Sequence, residues 1–258
     1  MEITTPRTLD DLEFDKLKEI VKQFAASPLG REKLENLNPS TDPSRIERSL
    51  QEVEELQGLL RSQQKFTLGE MVDLKPLIEE AREHPPLGPD DFLTIKRTLT
   101  TGVEVKQDII ERQEDDIPHL HRIIGEIDPL PELRQRISKV VDRRGEIRDD
   151  ATPKLRELIE KKRGSEQAVK EKLNDFLDQY PRMVQDRVIA RRSNRLVVPI
   201  KSSYRNQLQC VIHESSNSGQ TLFAEPSSAV ELNNKIIDLA SEIRGVNIRI
   251  LRELSNLL

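Results

Sequence analysis

The sequence is poor in cysteine and in aromatic residues, and it has no long apolar run. Its single cysteine, Cys210, excludes an internal disulfide framework and favours a reducing compartment. No run of about 18 apolar residues is present, and no charged and then apolar leader opens the chain, so neither a membrane span nor a secretory signal is predicted. Aromatic residues make up 3% of the chain and tryptophan is absent. Because a reducing compartment is favoured and neither a membrane span nor a secretory signal is predicted, we expect a cytoplasmic protein.

Motifs for nucleotide binding are also missing. None of the ten glycines is followed by lysine, so the phosphate-binding loop of nucleoside triphosphatases cannot be present in this sequence. The glycine fingerprint of dinucleotide-binding folds is missing as well. We predict no ATP or Mg²⁺ site, and no other cofactor, within these 258 residues.

No residue pattern predicts catalysis or metal binding. His213 lies close in sequence to several serines, but the strand-to-helix elbow that presents a nucleophilic serine is missing. His119 and His121 are two residues apart in a helical pattern, so their side chains point in different directions. We interpret these two histidines and His84 as surface residues, and we predict neither a catalytic residue nor a metal site.

What the sequence has in abundance is charge. Charged residues make up 34% and hydrophobic residues 35%, a balance that suits long amphipathic helices and an extended shape. The charge is uneven: residues 1–130 contain 17 Lys and Arg against 28 Asp and Glu, whereas residues 131–258 contain 24 against 18. We expect the two halves to face different partners.

Helix signals follow one another through the first half. Ser27-Pro28 and Asp42-Pro43 each combine a capping residue with a proline suited to the first helical turn. Further helices are predicted within residues 12–24, 44–60, 73–84, 92–110, 117–126 and 131–142. Short connections between them predict an irregular helical bundle.

Two later segments carry a narrow apolar stripe with coiled-coil spacing. The stripes alternate steps of four and three residues. Their apolar members are Leu155, Ile159, Val169, Leu173 and Phe176 in the first segment, and Ile236, Ile243, Ile250 and Leu254 in the second. We predict that the two helices pair antiparallel and carry the intervening residues at their far tip. A helix of about 28 residues extends about 42 Å, so the tip should stand about that far from the helical bundle. The pattern leaves open that both stripes pack into the bundle instead.

The residues between the two stripes alternate like β-structure and are basic. From Arg187 to Arg205 there is no Asp or Glu. The predicted phosphate contacts are Arg191, Arg192, Arg195, Lys201 and Arg205. Tyr204 is the only aromatic residue of this run, so a stacking platform for single strands is missing and a duplex backbone is favoured. The alternative is a solvated strand edge whose charge prevents aggregation.

A turn is predicted after this run. Ser216, Asn217, Ser218 and Gly219 lie between two alternating segments, and glycine supplies the positive φ that such turns need. We assign these residues to the turn and not to catalysis.

Three segments together resemble the bacterial MutS homologues of the second type, the MutS-II family. They are LEFDKLKEIVKQFAASPLG, RLVVPIKSSYR and HESSNSGQTLFAEPSSAVELNN. One position departs, because Cys210 stands where the family commonly has glycine. The resemblance implies a mainly α fold: a helical core over residues 1–150, lever helices over 151–186 and 227–258, and a β-rich clamp over 187–226. The stripe that continues to the last residue, together with the resemblance, predicts that an ATPase that uses ATP and Mg²⁺ and a nuclease domain follow.

The resemblance also implies a function. Such proteins form ATP-gated homodimers that bind duplex or branched DNA without sequence preference and restrain recombination; in some bacteria they act on collided ribosomes instead. Both partners stay open at this point. A third possibility, from the residues alone, is a coiled-coil scaffold that recruits another protein.

Overall fold

The protein is mainly α-helical, with one small antiparallel sheet, in a computed structural model that describes residues 6–25, 27–61, 71–112 and 116–258. The mainly α fold class and the β-rich insert are thereby confirmed. Parts of the predicted helical core, namely residues 1–5, 26, 62–70 and 113–115, lie outside the described residues. Of the described helices, none combines the length and the apolarity needed to cross a membrane.

Eight helices precede the sheet region within the described residues, and two long helices flank the sheet. The first eight are α1 (Pro6–Asp11), α2 (Phe14–Lys22), α3 (Pro28–Glu35), α4 (Pro43–Arg61), α5 (Lys75–Glu83), α6 (Pro89–Glu111), α7 (Pro118–Gly125) and α8 (Pro131–Val140). The long helices are α9 (Pro153–Gln179) and α10 (Ser227–Ser255). Each predicted helix is therefore present.

The predicted capping signals start helices as expected. Ser27 Oγ accepts a hydrogen bond from the N–H of Gly30 at 3.1 Å, and Pro28 occupies the first turn of α3. The Asp42 carboxylate accepts from the N–H of Ser44 at 3.0 Å in the same way. These contacts are local, which is why the sequence predicts them.

The apolar stripe of α2 is less buried than its periodicity suggests. Leu17 and Ile20 of α2 are 54% and 56% exposed, and Phe24, which continues the stripe just beyond the end of the helix, is 81% exposed. Helical spacing therefore identified the helix correctly but did not show whether its apolar face is covered.

The chain divides into two compact units, one made of Met1–Glu146 with Arg252–Leu258 and the other of Ile147–Leu251. We call them the helical unit and the sheet unit. The predicted boundaries at residues 150, 186 and 226 stay predictions.

In the helical unit, one buried cluster joins α4, α6 and α7 through Leu59, Ile109, Ile117, Leu120 and Ile124. The Glu55 carboxylate of α4 accepts from the N–H groups of His119 and Leu120 at the start of α7, at 3.1 and 2.8 Å. Burial alone would raise the pKa of Glu55, but these two N–H groups and the His119 ring outweigh it and lower the pKa. A carboxylate at a helix N-terminus thus holds α4 against α7.

The sheet unit contains four antiparallel strands in the order β1-β2-β4-β3. Their bounds are β1 (Ala190–Arg192), β2 (Arg195–Lys201), β3 (Cys210–Ser215) and β4 (Thr221–Pro226), with a short 3₁₀ helix at Ser202–Tyr204. Residues Leu196, Val198 and Ile200 of β2 pack with Leu173 and Phe176 of α9 in one core cluster, which also includes α10 residues. Val169, Leu173 and Phe176 of the predicted α9 stripe are thus part of the sheet's core, whereas Leu155 and Ile159 are not in this cluster.

The two hairpins of the sheet use different turns. Ser193 and Asn194 join β1 to β2 with φ of 47° and 63°, the two positive values of a type I′ turn. Gly219, with φ of 69°, lies in the turn between β3 and β4, and its N–H donates to the Ser216 carbonyl at 2.8 Å. The turn predicted at residues 216–219 lies at that place in the structure.

The predicted stripes of α9 and α10 are mostly buried. Leu155, Val169, Leu173, Phe176, Ile236, Ile250 and Leu254 are buried, and Ile159 and Ile243 are half-buried. The pairing of the two helices as an antiparallel coiled coil stays a prediction.

Replacing Leu173 by alanine should lower the free energy of unfolding by about 2 to 5 kcal/mol, because this fully buried side chain would leave a cavity in the sheet unit's core. Lys172→Ala, at an exposed neighbouring position of α9, is the matched control and should change it by less than about 0.5 kcal/mol. Urea unfolding followed by circular dichroism measures both. Equal losses in the two variants would contradict the assigned core.

Candidate nucleic-acid interface

Strand β2 separates the five predicted phosphate contacts into two groups. Arg191, Arg192 and Arg195 lie at the β1–β2 hairpin, whereas Lys201 and Arg205 lie at and beyond the other end of β2. At roughly 3.3 Å per residue, the backbone positions of Arg195 and Lys201 are about 20 Å apart. The five cations therefore do not form one cluster.

Each arginine of the hairpin meets a carboxylate from another element. Arg191 Nη2 lies 3.1 Å from Glu166 Oε1 of α9, and Arg192 Nε lies 3.1 Å from Glu214 Oε2 of β3. Arg195 Nη1 lies 2.9 Å from Glu225 Oε1 of β4. The three hairpin arginines of this acid-free run are therefore paired with acids from elsewhere in the chain.

The pair of Arg195 and Glu225 is the most buried of the three. Glu225 is 1% exposed, and its oxygens also lie 2.7 Å from His213 Nε2 and from Asn233 Nδ2. Arg195 Nη2 donates to Asn234 Oδ1 at 2.6 Å. Because removing one partner of a buried ion pair leaves an uncompensated charge, Arg195 is committed to the fold.

Asn233 of α10 completes the backbone hydrogen bonding of β2. The β2–β4 register, continued by two residues, places Leu196 opposite Pro226, which has no N–H to donate. The Asn233 side chain takes that role: its Oδ1 accepts from the Leu196 N–H at 3.0 Å and its Nδ2 donates to the Leu196 carbonyl at 3.0 Å. The start of α10 is thus fastened to the sheet.

Arg192 connects the β1–β2 hairpin to side chains of the β3–β4 hairpin. Its guanidinium stacks 4.2 Å from the centre of the Phe223 ring on β4 and pairs with Glu214 on β3, although β1 is next to neither strand in the sheet. A cation on an aromatic face gains about 0.5 to 2 kcal/mol. Arg192 therefore helps to hold the hairpin in place.

Arg191 is the most exposed of the three arginines and the least constrained by its contacts. Its side chain is 50% exposed, and it shares Glu166 with Lys162 of the same helix as Glu166. Burial alone would raise the pKa of Glu166, but its hydrogen bonds to Arg191 and Lys162 outweigh it and lower the pKa.

Lys201 lies beside a third cation, Arg182, and Arg205 follows Lys201 beyond the short 3₁₀ helix. The Lys201 N–H donates to the Met183 carbonyl at 2.9 Å, and Lys201 Nζ donates to the Arg182 carbonyl at 3.0 Å. Ser202 N–H donates to the Gln220 carbonyl at 2.9 Å, which brings the β3–β4 turn to the same place. Arg182 and Arg205 are exposed. We call Arg182, Lys201 and Arg205 the Lys201 end.

No ion pair within the described part of the chain involves the Lys201 end. Among the residues that the structure describes, these three cations thus have no carboxylate partner; Arg182 and Arg205 are exposed, and Lys201 is half-buried. This distinguishes the Lys201 end from the β1–β2 hairpin.

Sequence reasoning missed the acids and amides that bind the arginines. Glu166, Glu214, Glu225 and Asn233 all lie far from the arginines in sequence. One signal was available: Glu225 interrupts the apolar strand TLFAEP, and a carboxylate buried in a strand requires a cationic or hydrogen-bonding partner.

The histidines need one correction. His119 Nδ1 lies 2.6 Å from Glu55 Oε1 and His121 Nε2 lies 3.1 Å from the Ile109 carbonyl, so both are half-buried structural residues and the prediction of surface residues was wrong for them. His84 is exposed as predicted. Among the residues that the structure describes, no group of three or more His, Cys, Asp or Glu is placed to hold a metal ion.

Glu225→Gln should lower the free energy of unfolding by about 3 kcal/mol, because the partly buried guanidinium of Arg195 would lose its charged partner. Glu214→Gln removes the carboxylate of an exposed pair and should cost less than about 1 kcal/mol. Urea unfolding compares the two. A double variant with Arg195→Met should lose less than the sum of the single changes. Equal losses for the two glutamines would contradict the assigned role of Glu225.

Cys210 should react slowly with iodoacetamide. Burial raises the pKa of its thiol to about 11. At pH 8 only about 0.1% of such a thiol is ionised, so alkylation should be roughly a hundredfold slower in the folded protein than in urea. Mass spectrometry of timed samples measures both rates, and similar rates would show that the thiol is accessible and ordinary.

Comparisons with known proteins agree with the sequence resemblance. The chain is 33% identical over 255 residues to "Endonuclease MutS2" of Geobacillus sp. (strain WCH70), a match that covers 97% of this chain and 32% of the relative. It is 35% identical over 252 residues to "Endonuclease MutS2" of Symbiobacterium thermophilum, with 97% and 32% covered. "Putative endonuclease MutS2" of Bacillus subtilis (strain 168) is 32% identical over 253 residues, with 96% and 32% covered.

No family model matches the chain. The chain spans about a third of the length of the curated relatives it matches. Similarity along nearly all of the chain to that third of the MutS2 endonucleases supports its place in the MutS-related family.

Proposed function

We propose that this chain is the core, lever and clamp part of a MutS-related protein, and that its sheet unit grips duplex or branched DNA through the phosphate backbone. The observation that carries the proposal is the Lys201 end, where none of three cations near one end of β2 has a carboxylate partner among the described residues. The names of the relatives support a nucleic acid, because an endonuclease acts on one.

The chemistry of the Lys201 end favours phosphate over bases. Lysine and arginine bind phosphate oxygens through charge, which gives affinity and salt dependence without sequence preference. Tyr204, the aromatic residue nearest to it in sequence, is half-buried against the sheet unit's core and does not offer a face for stacking. A duplex backbone therefore fits better than a single strand.

The ion pairs change how much each of the five predicted cations is expected to contribute to phosphate binding. We expect the largest contributions from Lys201 and Arg205, together with Arg182. Arg191 can exchange Glu166 for a phosphate at small cost, since exposed ion pairs contribute about 0 to 1 kcal/mol. Arg195 is assigned a structural role, because releasing it would leave Glu225 buried and unpaired.

The wider activity belongs to the same proposal. The relatives are about three times as long as the chain, so an ATPase that binds ATP and Mg²⁺ and a nuclease would lie outside these residues. We propose that dimerisation through the ATPase closes two sheet units on one DNA, and that this grip restrains recombination. Two weak contacts on one ligand bind far more tightly than either alone.

The triple variant Arg182→Ala, Lys201→Ala and Arg205→Ala tests the grip. Each lost phosphate contact should reduce the slope of log affinity against log salt concentration by about one. We therefore expect a shallower slope by two to three units, roughly equal for duplex and branched DNA. Fluorescence anisotropy with labelled DNA at several salt concentrations measures it.

The control removes three exposed cations of the same unit that form no ion pair among the described residues: Lys170→Ala, Lys172→Ala and Lys235→Ala. It should keep most of the parent slope. A triple variant at the Lys201 end that keeps the parent slope, or a control that loses as much, would contradict the proposal. If the protein co-sediments with stalled ribosomes and does not bind duplex DNA, the ribosome and not DNA is the partner of the sheet unit.

A further inference from the structure

The helical unit contains a basic groove that the proposed function does not use. A cavity of about 560 Å³ is lined by Lys96 and Arg97 of α6 and by Arg143, with Thr100 between them. An adjoining cavity of about 530 Å³ shares Lys96 and Thr100 and adds Arg134 of α8. We call the two together the Lys96 groove.

Local structure holds Arg143 beside α6. The Asp142 carboxylate accepts from the N–H groups of Arg144 and Glu146, at 2.8 and 3.0 Å, and so closes a tight turn. Gly145 in this turn has a φ of 80°, and a Cβ there would lie 2.0 Å from Asp90 Oδ1 at the start of α6. Only glycine permits both this φ and this approach, so the turn is packed directly against α6.

Described carboxylates do little to neutralise the charges of the Lys96 groove. Among the described residues, none that lines the first cavity is a carboxylate, and Glu132 is the one that lines the second. Lys96, Arg97 and Arg143 take no part in the ion pairs of the described residues. Lys96 and Arg97 belong to residues 1–130, which have 17 basic against 28 acidic side chains, whereas Arg134 and Arg143 belong to the basic second half.

A second observation points to a ligand. Arg134 Nε is buried and has no hydrogen-bond acceptor among the described residues. A buried donor without a partner costs about 1 to 3 kcal/mol, and such groups are rare in folded proteins. Arg134 also lines the second cavity, so an anion bound there would lie close to this donor.

We propose that the Lys96 groove is a second phosphate-binding site, distinct from the sheet unit. Two or more guanidinium groups and an ammonium group suit an anion with several oxygens, because each guanidinium presents paired donors. The volume fits a small phosphorylated molecule as well as a stretch of nucleic-acid backbone. Phosphate is the shared chemistry, and the experiment distinguishes these two sources.

The test titrates the 258-residue chain with inorganic pyrophosphate by calorimetry at low salt, and in parallel measures the salt dependence of duplex DNA binding. Lys96→Ala with Arg143→Ala should weaken pyrophosphate binding at least tenfold if the source is a small molecule. If the source is backbone phosphate, pyrophosphate binding is weak but the duplex slope falls by about two units. Circular dichroism confirms that the variant is folded.

The matched control, Arg82→Ala with Lys139→Ala, removes two exposed cations of the same unit outside the Lys96 groove. It should leave both measurements close to the parent. The proposal is overturned if the groove variant changes neither pyrophosphate affinity nor duplex slope, or if the control changes them equally. The Lys201-end variant is measured separately, so a negative result for one proposed site does not contradict the proposal for the other.

Discussion

The sheet unit depends on the contacts that the buried carboxylate of Glu225 makes. With 1% of its surface exposed, it contacts Arg195 from the β1–β2 hairpin, His213 from β3 and Asn233 from α10. A buried charge is tolerated only when paired and hydrogen-bonded, so these elements must come together for Glu225 to be buried at all. The position of the hairpin and the start of α10 both follow from this requirement.

Charge compensation also decides which cations remain for a partner. Three arginines of an acid-free run receive one glutamate each from α9, β3 and β4. The Lys201 end and the Lys96 groove receive no such partner among the described residues. Both proposed phosphate sites are therefore places where the fold leaves positive charge unpaired. The Lys96 groove lies in the helical unit, which is acidic in composition, and the Lys201 end lies in the sheet unit, which is basic.

Much of the candidate site was beyond sequence reasoning for one physical reason. The partners of Arg191, Arg192 and Arg195 are separated from them by 25, 22 and 30 residues, and pairing at that distance depends on strand order and register. Likewise, the Lys96 groove joins α6 to a turn about fifty residues later. A one-dimensional charge count cannot distinguish a paired cation from a free one.

The sequence by itself determined the mainly α fold, the helix starts at Ser27 and Asp42, the β-rich insert and the turn at Gly219. These depend on contacts within a few residues, which spacing and capping chemistry report directly. Only the tertiary structure decided that Arg195 pairs with a buried carboxylate, that the Lys201 end has no such partner among the described residues, and that Arg143 and Lys96 line one cavity. Those outcomes depend on which side chains meet across elements, and burial and charge pairing arise only when the elements pack.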